Sequence, residues 1–343
     1  MSHFELSVIV PTRNRPVKLT ETILSLSRQD LPSADYEVIV VDDGSVPPVT
    51  LPEDACGPRL SLIRLEGSER SSSRNAGGMA AQGTLLVFVD DDMTVRNDFL
   101  SNHLAAQRRW PEALVVGSVR LPSDAMAKPF VRFRQRIEDC VIPGVPGPTL
   151  IKNLCAAGNM SISRDLFEDI GGFDPNIVSG EDQDFALRHT ALGREIVFWP
   201  QAAAIHEDSA LDIRAYCRRV EWGTKHLVQF CRRHRNWPDN IERERVNSPL
   251  RWGSEPVTLS LRKLIKAVLA LAAFRETLFL ATSVLERVAP KSPTLDGLYR
   301  VLLGVHIRRG YREGAKRNIP DVKTAEASRG QQHQIERDLA DAK

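Results

Sequence analysis

The sequence predicts an α/β fold: a mainly parallel sheet flanked by helices, followed by a helical C-terminal extension. Three observations carry this. Short β-rich apolar runs alternate with amphipathic stretches over the first 120 residues, the pattern of strands joined by crossover helices. Three of those runs end in polar clusters, and in an open α/β sheet ligands bind outside the carboxyl ends of the strands. From about residue 211 the strand signals give way to basic sequence with helical periodicity.

In chain order, strands are expected at 5–10, Tyr36–Val41, Leu60–Leu65, Leu85–Val89 and Leu114–Val119, each a short run rich in Val, Ile and Leu. Helices are expected at Val17–Arg28, Ser72–Ala81 and Asp98–Trp110. The segment Ser123–Thr149 ends in Pro143-Gly144-Val145-Pro146-Gly147-Pro148, which predicts a flexible loop or lid. Order returns with a strand over Cys155–Ser163 and a helix over Arg164–Ile170. The turn Gly171-Gly172-Phe173-Asp174-Pro175, a helix from Glu181 and a strand at Arg194–Trp199 follow. A basic helix is expected over Asp212–Arg235, then a Pro/Asn-rich break at 236–256, then a helical region over Val257–Val288. The division expected is a catalytic domain at 1–210, a basic helical extension at 211–318 and a polar, disordered tail at 319–343.

Composition narrows the function classes. The chain has 343 residues and a net charge of +2, but the charge is uneven. Residues 1–205 hold 20 Lys and Arg against 27 Asp and Glu, a net −7, and residues 206–318 hold 22 against 12, a net +10. An acidic first part and a basic second part suggest two jobs, with anionic lipid, substrate or nucleic acid as partners for the second. The five cysteines are widely spaced, without a Cys-x-x-Cys pair, so neither a disulfide framework nor a zinc site is indicated. With a strand entered within a few residues of the N-terminus, a cytoplasmic location is expected. The stripe Leu264, Ile265, Val268, Leu269 and Ala272, with Arg262, Lys263 and Lys266 beside it, admits two readings: a helix packed on the catalytic domain, or an interfacial helix on the cytoplasmic face of a membrane. Its charges leave no uncharged run near the 20 residues or so that a span needs.

The chemistry concentrates in a few places. Asp90-Asp91-Asp92 closes the apolar run 84–89. Carboxylates at that density repel and are costly at the end of a buried strand. A divalent cation carrying phosphate would compensate them, since Mg²⁺ or Mn²⁺ takes one or two carboxylates plus substrate phosphates; a solvated acidic turn capping the next helix is the bland alternative. By the two-residue period of a strand, Asp90 and Asp92 would face one side and Asp91, the member expected to tolerate substitution best, the other. Asp43, at the end of 38–42, can accept a uracil imide N–H or hydrogen-bond a ribose, though Asp-Gly-Ser is also a strong turn signal. Arg74 opens a helix where a cation is a poor dipole match, so a phosphate or base partner is expected, a surface arginine being the alternative. Glu181 and Asp182 sit at a helix start, where acids favour the dipole and where one could act as general base. A lone histidine such as His206 is usually structural, yet beside a carboxylate centre it becomes a third ligand.

The ordered set resembles the family 2 inverting glycosyltransferases of the GT-A fold. The resemblance rests on Ser7 to Arg15 (Ser-Val-Ile-Val-Pro-Thr-Arg-Asn-Arg), Val38 to Ser45, Ser73 to Gly77 and Val87 to Asp92, then Gly171 to Asp174, Gly180 to Arg188 and His206. It implies that Pro11, Thr12 and Arg13 border the nucleobase, that Asp43 binds it, and that Arg74 and Asp91 lie near the nucleotide. It further implies Asp90 toward ribose or metal, Asp92 and His206 on Mg²⁺ or Mn²⁺, Asp182 as catalytic base, and Asn159 and Glu181 at the donor or acceptor pocket. The implied reaction moves a sugar from a nucleoside diphosphate, UDP or dTDP favoured, to a hydroxyl of a saccharide, lipid-linked or polysaccharide acceptor. The alternatives are a nucleotidyltransferase or an inactive scaffold of this fold. The first should carry a Gly-rich loop after the first strand, where this chain has Pro-Thr-Arg-Asn-Arg; the second would not need the carboxylates. Nucleic acid is not an expected partner: the basic half offers few aromatics for stacking, mainly Trp222, Phe230 and Trp237.

Overall fold

A computed structural model describes residues 4–55, 57–139, 147–151, 155–208 and 211–316. The chain begins with β1 (Leu6–Thr12), α1 (Pro16–Leu26), β2 (Tyr36–Asp43), β3 (Arg59–Leu65), α2 (Arg70–Ala80) and β4 (Leu85–Val89). Next come β5 (Met93–Val95), α3 (Phe99–Arg109), β6 (Leu114–Arg120), a 3₁₀ turn at Asp124–Ala127, α4 (Pro129–Asp139) and β7 (Thr149–Ile151). Then follow β8 (Asn159–Ser163), α5 (Arg164–Ile170), α6 (Glu181–Ala191) and β9 (Ile196–His206). The rest is helical: α7 (Ile213–Arg233), α8 (Pro238–Asn247), α9 (Val257–Leu269), α10 (Ala272–Val288) and α11 (Pro293–Lys316).

The sheet runs β3-β2-β1-β4-β8-β6-β9-β5, with β7 also on β9. Strands β1 to β4 pair in parallel, and the apolar runs at the centres of β1, β2 and β4 are buried on both faces. The α/β class and the flanking helices are as expected, but the sheet is mixed. β8 enters antiparallel between β4 and β6, and β5 and β7 pair antiparallel with β9. Two apolar layers close the sheet. One joins α1 and α3 to the sheet through Leu19, Ile23, Leu26, Phe99 and Leu100. The other stacks Phe88, Phe167, Phe173 and Phe185 on the opposite face.

The chain divides into two compact units. One comprises the described residues up to Tyr216 together with Leu278–Arg300; the other comprises Cys217–Thr277 and the described residues from Val301. The expected boundary at 210 thus falls instead inside α7, and the segment 278–300 joins the first unit. There it packs on α4: Tyr299 lies 5.3 and 5.0 Å from the rings of Phe130 and Phe133, and Arg136 forks onto Asp296 at 2.7 Å. So the stretch expected as a loop or lid carries an ordered helix, with Phe130, Val131 and Phe133 buried; residues 140–146 of it lie outside the described residues. In the second unit Glu221 of α7 pairs with His306 and Arg309 of α11. Gly310 and Gly314 let these helices touch, since a Cβ at either would fall about 2 Å from a carbonyl oxygen of Glu221 or Lys225. The expected break at 236–256 holds α8, started by Pro238 at its first turn, where proline is favoured. The tail expected at 319–343 lies outside the described residues.

Candidate active site

Parallel register brings the ends of β1, β2 and β4 to one edge, and the loops beyond them interlock. After β1, Asn14 takes a positive φ of 57°. Its backbone N–H donates to Ser45 Oγ at 2.8 Å, and its Oδ1 accepts from Val46 N at 2.8 Å. That ties the β1 loop to the β2 loop. Asp43 accepts from Ser68 N at 2.5 Å and Ser68 Oγ at 2.9 Å, and faces Arg13 at 3.7 Å. Its neighbour Asp42 is structural: buried, it accepts from Ser45 and Val49 amides and pairs with Arg64. Burial works against that charge, but these hydrogen bonds and Arg64 hold the Asp42 carboxyl below its ordinary range.

The aspartate triplet is a turn between β4 and β5, not a continued strand, with Met93 N donating to Asp90 O at 3.2 Å. The two-residue alternation expected for it therefore does not apply. Asp90 meets Arg74 at 2.9 Å. Asp91 and Asp92 both take Arg15, at 3.1 and 2.8 Å. Asp92 also lies 3.3 Å from His206 Nε2, because β5 and β9 pair Met93 with His206. Asp91, expected to be the expendable member, is the best anchored: buried, it accepts from Thr12 Oγ1 at 2.7 Å, and its carbonyl takes Thr22 Oγ1 at 2.9 Å. Burial, with Asp92 and Asp90 alongside, pushes its carboxyl up to about 6 against the pull of Thr12 and Arg15.

Arg74 is the hub. Its side chain is 3% exposed and bridges Asp90 to Glu181, at 2.9 and 3.0 Å, with its guanidinium 5.5 Å from the centre of the Phe173 ring. Two glycines let α2 sit this low: a Cβ at Gly77 would strike Ile9 at 2.4 Å, and one at Gly78 would strike Phe167 at 2.7 Å. Asn75 fixes the far side by exchanging 2.8 Å hydrogen bonds with both backbone groups of Phe173. Burial would push the Asp90 carboxyl up, yet Arg74 and Arg70 hold it below its ordinary range.

α6 starts at Gly180, whose φ of 85° suits glycine. Asp184 turns inward onto Arg188 at 2.8 Å, while Arg188 also holds the carbonyls of Ile170 and Gly172. Asp182, two residues earlier, stays half-buried on the site side and accepts only its neighbour's amide, from Gln183 at 2.8 Å, among the hydrogen bonds of the described residues. Burial and the adjacent Glu181 push the Asp182 carboxyl up to about 7, with Arg74 pulling the other way. A carboxylate that gains and loses a proton near neutrality is suited to general-base work.

One expected pocket residue is elsewhere in role. Asn159 is fully buried. Its amide donates at 3.0 Å to the carbonyls of Ser118 and Ala202, and its Oδ1 lies 3.0 Å from His103 Nε2. It therefore rivets β8 to β6 and β9, and has no polar atom left to line a donor or acceptor pocket. Gly117 makes room for it, since a Cβ there would lie 2.5 Å from the amide. Burial drives His103 down to about 4, so its ring is neutral in this network. Pro11, partly buried, ends β1 beside Thr12. Sequence reasoning gave no role to Arg15, Ser68 or Asn75; the first and last had a signal, since each stands in a quoted motif, Ser7 to Arg15 and Ser73 to Gly77.

Among the described residues no group of three His, Cys, Asp or Glu side chains is arranged to hold a metal ion unaided. Asp92 and His206 offer one oxygen and one imidazole nitrogen. That donor set fits a hard divalent cation drawing its other ligands from phosphate and water.

Comparison with known proteins bears on the family and the fold. Residues 7–171 match the family model described as Glycosyl transferase family 2. Glycosyltransferase AglE of Haloferax volcanii is 24% identical over 208 residues, covering 59% of this chain and 66% of that protein. An uncharacterized glycosyltransferase of Haemophilus influenzae is 28% identical over 186 residues, covering 53% and 61%. The pre-mycofactocin glycosyltransferase of Mycobacterium tuberculosis is 26% identical over 212 residues, covering 60% and 43%. The chain thus spans less than two thirds of the length of these relatives. Among solved structures, the mannosyltransferase PcManGT of Pyrobaculum calidifontis, in complex with GDP-Man and Mn²⁺, superposes with a TM-score of 0.58 at 17% identity, over 91% of this chain and 88% of that one.

Proposed function

Residues 7–171 of this chain belong to glycosyl transferase family 2, and from that membership we propose that the protein is an inverting glycosyltransferase. It would use a nucleoside-diphosphate sugar and a divalent cation to glycosylate a hydroxyl of a saccharide, lipid-linked or polysaccharide acceptor. The observation that carries this is the convergence on one sheet edge of Asp43, the aspartate turn, Arg74 and a half-buried Asp182 whose carboxyl titrates near 7.

The division of labour follows from the contacts. Asp43, positioned by Ser68 and Arg13, accepts the imide N–H of the base, which favours UDP or dTDP. Arg74 and Arg15 supply positive charge where a diphosphate must lie, beside Asp90 and Asp92. Asp92 and His206 would hold Mg²⁺ or Mn²⁺, which when bound neutralises charge on the departing diphosphate. Asp182 takes the proton of the acceptor hydroxyl as its oxygen forms a bond to the anomeric carbon. The bond from that carbon to the diphosphate oxygen breaks with its electron pair leaving on the nucleoside diphosphate, and a single displacement inverts the anomeric centre. Glu181, held by Arg74, keeps Asp182 basic by repulsion.

The test is a thermal-shift panel of UDP, dTDP and GDP with and without Mn²⁺; GDP is included because the solved mannosyltransferase holds GDP-Man. A ligand at 100 times its dissociation constant adds about 2.7 kcal/mol. A metal-dependent shift with UDP or dTDP is expected, and no metal-dependent shift with any of the three would refute the reading. D182N should keep the nucleotide shift and lose transfer.

A further inference from the structure

The second unit carries an apolar surface that the fold does not use. On α9, Val257, Leu261, Leu264, Ile265 and Val268 are 39–75% exposed. At about 100° per residue their spacing sets them on one stripe with an arc of about 100°. A stripe of that width ordinarily faces a core. Here the core side of the helix is a different one: Leu259, Ser260 and Lys263 are buried, and Lys263 Nζ is satisfied by Glu255, Ser248 and the carbonyl of Pro249. The apolar surface continues past both ends, through exposed Leu250 and Trp252 before the helix and Leu271 and Phe274 after it.

Charge identifies the occupant. Arg251 and Arg262 are exposed beside the stripe. Lys266 is pressed down by burial and by Arg262 and Arg308. The described residues of this unit hold 17 Lys and Arg against 7 Asp and Glu, a net +10. Two copies meeting on this stripe would bring like charge together, whereas an anionic lipid surface would be attracted by it. Residues 317–343 carry only Ile319, Val322, Ile335 and Leu339 as large aliphatics, too few to cover it. Among the described residues no single helix is long and apolar enough to cross a membrane; α9 and α10 reach that length and hydropathy only as a pair, and the pair is bent by 84° at its break. The 13 residues of α9 extend about 20 Å, short of the roughly 30 Å hydrocarbon core. We propose that α9 lies flat in the headgroup layer of an anionic membrane, with its aliphatic stripe inserted, Trp252 at the interface and the flanking arginines on the lipid phosphates.

The test is flotation of the full chain with vesicles of phosphatidylcholine, alone or mixed with phosphatidylglycerol, at low and high salt. Binding to the mixed vesicles, weakened by salt, is expected. L261E/I265E should lower it at least about 10-fold while leaving the circular dichroism spectrum and melting temperature unchanged, since both residues are exposed. Failure of the native chain to float with anionic vesicles would overturn the proposal. So would binding that survives L261E/I265E, or a native dimer that the double substitution turns into a monomer, which would assign the stripe to a second copy. None of these outcomes touches the nucleotide thermal shift, so failure here is separable from failure of the proposed activity.

Discussion

Replacing Arg74 with methionine should both loosen the protein and detune Asp182, its proposed base. Methionine keeps the length and apolar contact of the side chain against Phe173 but removes the charge. Two ion pairs are lost, and they are not equal. Asp90 has a side chain 35% exposed, so its pair is solvent-screened and contributes about 0.5–1 kcal/mol. Glu181 has a side chain 9% exposed, and removing the partner of a buried charge costs about 3–5 kcal/mol, offset in part by the apolar contact that methionine keeps against Phe173. A net loss of about 3 kcal/mol is expected, which for a unit of this size lowers Tm by roughly 6–12 °C. E181Q placed on R74M removes the stranded charge, so the double variant should recover much of the loss, with a coupling of about 2 kcal/mol by denaturation. The second readout is protonic. Arg74 opposes the burial that raises Asp182, so the pH midpoint for transfer should move upward in R74M. Additivity of R74M and E181Q within about 0.5 kcal/mol, together with an unmoved pH midpoint, would refute the hub role.

Two further outcomes follow from the carboxyl groups. With Asp182 titrating near 7, kcat/KM should rise with pH through about 7 and then level off, and a flat profile across that range would remove Asp182 as base. The linked stability runs the other way. A carboxyl whose folded value is raised keeps its proton when the unfolded chain has lost it, so stability falls as pH rises from about 4 through about 6 for Asp91 and about 7 for Asp182. D182N should therefore melt above the native chain at pH 8; equal or lower melting would show that Asp182 is not strained in the fold. D91A should cost about 1–3 kcal/mol by stranding the Thr12 hydroxyl and Arg15, whereas D91N, close in shape to the protonated acid, should cost less; equal losses would refute the hydrogen-bonded role.

What the sequence made legible was whatever depends on local pattern. The five strands expected in the first 120 residues, the helix starting at Glu181 and the clusters at the ends of β1, β2 and β4 all stand where period and polarity put them; the three-residue β5 was not among those expected. Parallel pairing then gathered Asp43 with the aspartate turn. What depends on partners distant in sequence was not legible. Nothing local tells that β8 runs antiparallel between β4 and β6, and with that direction hidden Asn159 read as a pocket residue instead of a rivet among three strands. The triplet read as strand because it follows one; the Met93-to-Asp90 hydrogen bond makes it a turn. α4 was hidden by the prolines and glycines that follow it, and because its apolar contacts are supplied by Tyr299, more than 160 residues along the chain. Arg15 drew no reading of its own until the turn placed two carboxylates around it.

That placement sets a rule for any cation arriving at the aspartate turn. Asp92 is already neutralised, by an arginine whose side chain is 48% exposed. An incoming ion does not add to an empty charge; it exchanges with a tethered one. Its apparent affinity is the difference between two attractions, and the loser remains covalently on hand at high local concentration. Released from Asp92 but still held by Asp91 at 3.1 Å, Arg15 would stay within reach of the same edge, a positive charge for whatever anion the ion brought with it. On the proposed reading, the loop after the first strand would hold in reserve the positive charge that a departing diphosphate needs.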